Sequence, residues 1–301
     1  MTHGLTLEEA LERLPRLGRP LEVTELPGGL TNHNHRVRTA THDVVVRISP
    51  PGTELLAIDR EHEWRNSCVA ASVGVGAPVV EYLQGEGVLV VEFLPGRTYT
   101  AADVAANLPR IAATARRLHA GPPFASRFDM FEVQRGYQRI VDERGYAVPA
   151  GYDALAPNAA RVEAALRAHP ERLVPCHNDL LAANVIDDGG DLRFIDYEYS
   201  GMNEASFELG NLVNESQLGH DHLAELVEAY HGVVTARLLA RAELWGLAGR
   251  WAWTLWGVIQ HGASDVAHDF WDFAQERHEL ARLLLTSPRL DELLDAAGAA
   301  P

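Results

Sequence analysis

With 301 residues, 47% of them hydrophobic, the chain is long enough for two lobes or one large domain to bury a core. Its formal net charge of −16 at pH 7 argues against nucleic acid or an anionic membrane as a partner and fits a cationic small molecule better. The two cysteines, Cys68 and Cys176, lack metal-ligand spacing, so neither a disulfide framework nor a zinc site is expected and a reducing cytoplasm is the expected setting.

The opening MTHGLTLEEALERL reads as an amphipathic helix, with acids where a signal peptide needs an unbroken apolar stretch. Five β-rich runs follow, Leu21–Leu26, His35–Thr39, Val44–Ser49, Pro78–Leu83 and Val88–Phe93, and predict an antiparallel sheet. Between the third and fourth, Leu55–Val73 has helical character and stops at Gly74 and Gly76. The composition changes at Leu94-Pro95-Gly96, which divides the chain into residues 1–94 and 95–301. Beyond it helical patterns dominate: Ala102–His119, Asn158–Ala168, Leu223–Arg241 and Leu244–Gln260. The most apolar stretch, Trp245–Ile259, is interrupted by Arg250 and is too short for a hydrocarbon core of about 30 Å, so no transmembrane helix is expected. One β-hairpin interrupts the helical half, with Asn184–Asp187 and Asp191–Ile195 as its arms around Gly189-Gly190, and it should bring Asn184 and Asp196 together at its open end.

The chemistry concentrates there. HNDLLAAN from His177 to Asn184, followed by IDYE from Ile195 to Glu198, supplies Asp179, Asn184, Asp196 and Glu198, an oxygen-rich set suited to Mg²⁺ in phosphoryl transfer. Asp179 precedes Asn184 by five residues, the spacing of the protein-kinase catalytic loop, and would accept the proton of a substrate hydroxyl. His177 is expected to buttress the loop, and Asp187, Asp188 and Asp191 to be solvated turn residues. Upstream, Gly28, Gly29, Thr31 and Asn32 sit between the first two strands, either as a phosphate-approaching loop or as an ordinary hairpin turn. Arg47 on an otherwise apolar strand is either a phosphate ligand oriented by Glu63, favoured here over Glu61, or a solvent-facing charge.

Taken together, these pieces resemble the choline and ethanolamine kinase family, a branch of the aminoglycoside-phosphotransferase-like kinases. The likeness runs through GGLTN, VVVRI, GTELLAIDREHEWRN, VEFLPGRT, HNDLLAANVI, IDYEYSG, WTLWGVIQ and WDFAQER. It implies an α+β, two-lobed protein-kinase-like fold, with a nucleotide-binding N-terminal lobe and a catalytic, substrate-binding C-terminal lobe. It also implies ATP and Mg²⁺ as cofactors, Asp179 as base, Asn184, Asp196 and Glu198 as metal-binding groups, and Val91 to Leu94, with Glu92, Phe93 and Leu94, beside the adenine. Glu215 matches an acidic position at an amine site, and Trp253, Trp256 and Phe273 match its aromatic wall. On the helix around them, Leu244, Leu247, Trp251, Leu255 and Val258 form one apolar stripe, while Trp245, Gly249, Trp253, Trp256 and Gln260 lie opposite, against another helix or lining a cavity. The expected reaction phosphorylates the hydroxyl of a small cationic amino alcohol, choline or ethanolamine. The alternatives are an aminoglycoside or another small molecule as acceptor, and a nucleotide-binding pseudokinase scaffold.

Overall fold

Thr6 caps the first helix, α1 (Leu7–Glu12): its hydroxyl accepts the Glu9 N–H while the Glu9 carboxylate accepts the Thr6 N–H. The computed structural model describes residues 4–27, 32–50, 53–264 and 266–299. Next come strands β1 (Glu22–Leu26), β2 (His33–Arg38) and β3 (Asp43–Ile48), helix α2 (Arg60–Ser72), and strands β4 (Val79–Leu83) and β5 (Val88–Glu92). They make an antiparallel five-stranded sheet in the order β1-β2-β3-β5-β4. Ala10, Leu14 and Leu17 pack beneath it against Val37, Val44, Val46, Ile48, Val88 and Val90. Because side chains alternate along a strand, that arrangement turns Arg47 to the other face, where it is buried rather than solvent-facing.

The expected helix from Leu55 to Val73 is shorter. Thr53–Leu56 forms one 3₁₀ turn, Ala57 takes a positive φ of 61°, and the helix begins only after Asp59, whose carboxylate accepts the Glu61 and His62 N–H groups. The strands fall within two residues of their expected bounds.

After the Pro-Gly connection come β6 (Arg97–Thr98), α3 (Ala101–Ala106), α4 (Leu108–His119), α5 (Met130–Arg144), α6 (Ala156–Ala168), β7 (Leu173–Cys176), β8 (Val185–Asp187), β9 (Leu192–Phe194) and β10 (Gly201–Glu204). Five helices complete the chain: α7 (Ala205–Glu215), α8 (His220–His231), α9 (Ala236–Ala263), α10 (Phe270–Leu285) and α11 (Arg289–Gly298). β8 and β9 are the expected hairpin, and β6 joins its edge. Gly96 is required at that junction, since a Cβ there would lie 2.4 Å from the Asp187 carbonyl oxygen.

The helices read as Leu223–Arg241 and Leu244–Gln260 divide differently. Gly232, at φ 74°, ends α8, and Thr235 caps α9, which runs without a break through 28 residues. The apolar periodicity continued across a turn that one glycine made. α9 is buried on nearly all sides from Ala240 to Gln260, so both of its expected faces pack: α7 crosses so closely that a Cβ on Gly210 would meet the Ala242 carbonyl at 1.9 Å. Trp245 belongs to that packing, with its ring against Phe131 and Phe207 and its N–H donated to Glu204. No helix among the described residues is long and apolar enough to cross a membrane.

Candidate active site

β7 delivers the chain to His177, whose Nε2–H donates to the Ile195 carbonyl at 2.7 Å while Nδ1 accepts the Asp179 N–H at 3.3 Å. His177 is therefore a strut between the loop and the hairpin's outer end. Asn178 adopts φ 66°, a conformation that costs energy unless its surroundings enforce it. Here they do. Its amide donates to the Tyr199 carbonyl at 3.0 Å, its Oδ1 accepts from Asn203 at 2.9 Å, and the backbone N–H groups of His177 and Asn178 donate to the two oxygens of Glu208 at 2.9 and 2.7 Å. His119 Nε2 stands 3.3 Å from the same carboxylate. Burial works to raise the Glu208 carboxyl, but the bonds from His119 and the loop outweigh it and hold its pKa below the ordinary value. Cys176 lies within 4.8 Å of His119 and Glu208, close enough for a shared ion, yet both Glu208 oxygens are already engaged and burial pushes the thiol pKa well up.

The hairpin closes as expected. The Ile195 N–H donates to the Asn184 carbonyl at 3.0 Å, which sets Asn184 beside Asp196, and Asn184 Nδ2 donates to the Asp179 carbonyl at 2.8 Å. Asp196 itself sits at φ 70°. Arg47 Nη1 donates to Asp196 Oδ1 at 2.7 Å, and its other terminal nitrogen contacts Glu63. Glu61 instead faces outward to Arg65. Glu63 and Glu198 share a second arginine: Arg60 Nη1 lies 2.8 Å from Glu63 Oε2 and 3.0 Å from Glu198 Oε2. Asn32 Nδ2 also donates to Glu198 at 3.0 Å and its Oδ1 accepts from Ser49 at 2.7 Å. Gly28, Gly29 and Thr31 lie outside the described residues. Glu92 ends β5, exposed, Leu94 is half-buried, and the Phe93 ring is covered by the Arg36 guanidinium at 3.6 Å.

Asp179 is only partly buried, but desolvation and then the negative charges of Glu215, Asp196, Glu198 and Glu208 raise its pKa well above the ordinary aspartate value. Glu215 is thus one of the charges that act on Asp179. Its Oε2 accepts from Arg277 at 2.7 Å, its buried Oε1 has no hydrogen-bond partner among the described residues, and burial raises its pKa. Trp256 donates to Tyr199 Oη at 3.0 Å, and the Trp253 ring stands edge-on to Tyr199 at 5.1 Å. Phe273 packs edge-on to Trp256 at 5.4 Å, but Arg277 lies 4.6 Å from its ring centroid, so one face of Phe273 already holds a cation. Glu208, Arg60 and Tyr199 were missed by the sequence reading. Tyr199 stood within IDYEYSG and could have been found there, whereas nothing local marked Glu208 or Arg60.

The oxygen set fits a hard cation. Asn184 donates from Nδ2 to the Asp179 carbonyl, which leaves its Oδ1 as an acceptor, and Asp196 and Glu198 add carboxylates, the donors Mg²⁺ prefers.

The sequence profile described as "Phosphotransferase enzyme family" matches residues 22–245. Rat ethanolamine kinase 2 is 29% identical over 264 residues, covering 77% of this chain and 67% of its own length. Protein LicA of Haemophilus influenzae is 27% identical over 276 residues, covering 86% of this chain and 78% of its own. The crystal structure of a choline/ethanolamine kinase family protein from Mesorhizobium loti superposes with a TM-score of 0.82 at 28% identity, covering 96% of this chain and 98% of that one.

Proposed function

This chain belongs to the phosphotransferase enzyme family, and from that premise we propose that it transfers the γ-phosphoryl group of ATP to the hydroxyl of a small cationic amino alcohol, choline or ethanolamine. The observation that carries the reading is the geometry of the loop and hairpin: Asn184 donates to the Asp179 carbonyl at 2.8 Å and accepts the Ile195 N–H at 3.0 Å beside Asp196, and Arg47 joins Asp196, at 2.7 Å, to Glu63. Asp179 accepts the hydroxyl proton as the acceptor oxygen bonds to the γ-phosphorus and the bond to the departing ADP oxygen breaks. Arg47 positions the nucleotide phosphates and Glu63 orients Arg47. Asn184, Asp196 and Glu198 would hold Mg²⁺, which would supply charge neutralisation on those phosphates. Residues 1–94 form the nucleotide-binding lobe and 95–301 the catalytic one, with Val91 to Leu94 beside the adenine. The cytoplasm, where ATP is abundant, is the setting.

On the acceptor side Tyr199, Trp253 and Trp256 make the aromatic wall. Each cation–π contact is worth about 0.5 to 2 kcal/mol, roughly a twofold to thirtyfold change in affinity. Trp256→Leu keeps the position apolar but removes the π face, so the choline KM should rise about tenfold while the ATP KM stays put. The uncharged carbon isostere of choline should show no such change. Equal effects on both acceptors would remove the cation from the reading.

The raised Asp179 pKa fixes a sign for pH dependence. The base form is lost as pH falls, so the acid limb of kcat/KM should lie above the ordinary aspartate range. Glu215→Gln deletes one of the negative charges that raise it and should move that limb to lower pH; an unmoved limb would detach Glu215 from Asp179.

A further inference from the structure

Arg60 stands at the wrong end of its helix. The first turn of a helix carries free N–H groups and the positive end of its dipole, so acids belong there, and Glu61 and Glu63 conform while Arg60, the first residue of α2, does not. Its side chain turns inward and is only 14% exposed. One nitrogen, Nη1, serves both Glu63 and Glu198, whereas Nε and Nη2 are buried without a hydrogen-bond partner among the described residues. Such a buried ion pair is a poor way to hold a fold, since replacing all of its members by well-packed apolar side chains is often neutral or stabilising. A residue that violates local preference without a local gain marks a functional constraint.

What Arg60 does provide is continuity. Glu198, Arg60, Glu63, Arg47 and Asp196 form one chain of alternating charge, joining α2 and β3 to the hairpin's open end across 138 and 149 residues of sequence. Arg47 has two duties in it that conflict: it holds Asp196 at 2.7 Å, and in the reading above it must hold phosphate. We propose that Arg60 is a positioning residue of the phosphoryl-transfer site, keeping Glu63 and Glu198 in place when Arg47 exchanges Asp196 for the nucleotide phosphates. The chain of charges then opens at the single Arg47–Asp196 link, releasing Asp196 for the cation while Glu198 stays fixed beside it. Without Arg60, Glu63 depends on Arg47 alone, and Glu198 loses its arginine while keeping Asn32.

The proposal rests on the Mg²⁺–ATP reading, and calorimetry on the full chain separates the two. Mg²⁺ is titrated into protein saturated with ADP, and ADP into protein without Mg²⁺, for wild type, Arg60→Met and Arg60→Lys. Removing a residue that orients metal ligands weakens metal binding by about tenfold to a hundredfold, so Arg60→Met should lose about tenfold in Mg²⁺ affinity. Its metal-free ADP affinity and choline KM should remain close to wild type, while its melting temperature falls because one partner of a buried ion pair is gone. Arg60→Lys, which keeps the charge and can set one nitrogen between Glu63 and Glu198 as Nη1 does, should retain most of the Mg²⁺ affinity. Wild-type affinity in a folded Arg60→Met overturns the proposal, and an Arg60→Lys that loses tenfold or more overturns it whether or not Arg60→Met folds. If wild type itself binds no Mg²⁺–ADP, the nucleotide reading falls instead.

Discussion

Asp179→Asn should lower kcat about a thousandfold and at the same time make the protein more stable at neutral pH. The first effect is the usual loss when a positioned base is removed, about 10²- to 10⁴-fold. The second follows from crowding. Burial and the charges of Glu215, Asp196, Glu198 and Glu208 raise the Asp179 pKa in the folded chain above its unfolded value. A group of that kind contributes stability that is fully present below the unfolded pKa and is lost as pH rises through the folded one. At neutral pH the fold is therefore burdened by the cost of keeping a carboxyl in that place, and the neutral amide relieves that burden. The melting temperature should rise by about 2 °C at pH 7.5, with the gain over wild type shrinking toward pH 4. Circular-dichroism melts at the two pH values test this, and a variant destabilised at pH 7.5 would contradict the crowded-carboxylate account.

Glu208→Ala should be the most damaging substitution in the catalytic half. Glu208 is 1% exposed, and its removal leaves the N–H groups of His177 and Asn178 buried without their acceptor and His119 without its carboxylate. Breaking a buried pair costs about 3 to 5 kcal/mol, which corresponds to a fall in melting temperature on the order of 10 °C. The loss should not be confined to stability. Asn178 keeps φ 66° because Glu208, Tyr199 and Asn203 hold it, and Asp179 is the next residue, so relaxation there moves the base. Folded Glu208→Ala should lose about tenfold to a hundredfold in kcat with a near-normal ATP KM. Glu208→Gln, which retains one acceptor oxygen, should fall between. A variant that melts early but turns over normally would make Glu208 a structural residue only.

What could be read in the sequence was what local periodicity and spacing encode. The alternation of Val44, Val46 and Ile48 already placed Arg47 on the opposite face, and the hairpin's symmetry already brought Asn184 to Asp196. The helical half was less legible. A heptad-like apolar pattern runs through Gly232, so only the glycine's left-handed conformation shows that α8 ends there. The groups that hold the site were hidden for a different reason. Glu208 meets the loop from 30 residues away and Arg60 meets Glu198 from 138, and neither spacing is periodic in any local element. The aromatic wall proposed above was half visible: the tryptophans stood out, but Tyr199 acquires its place only when the segment ahead of β10 meets α9, and Phe273 gives one face to Arg277.

The most direct measurement is ADP release with Mg²⁺–ATP against choline, ethanolamine, their methylated intermediates and several aminoglycosides, with Asp179→Asn as the blank. The account predicts turnover of choline or ethanolamine far above the blank, with little or none of the aminoglycosides. Turnover confined to aminoglycosides would contradict the amino-alcohol assignment, and ATP binding with no acceptor turned over at all would contradict phosphoryl transfer and favour a nucleotide-binding scaffold.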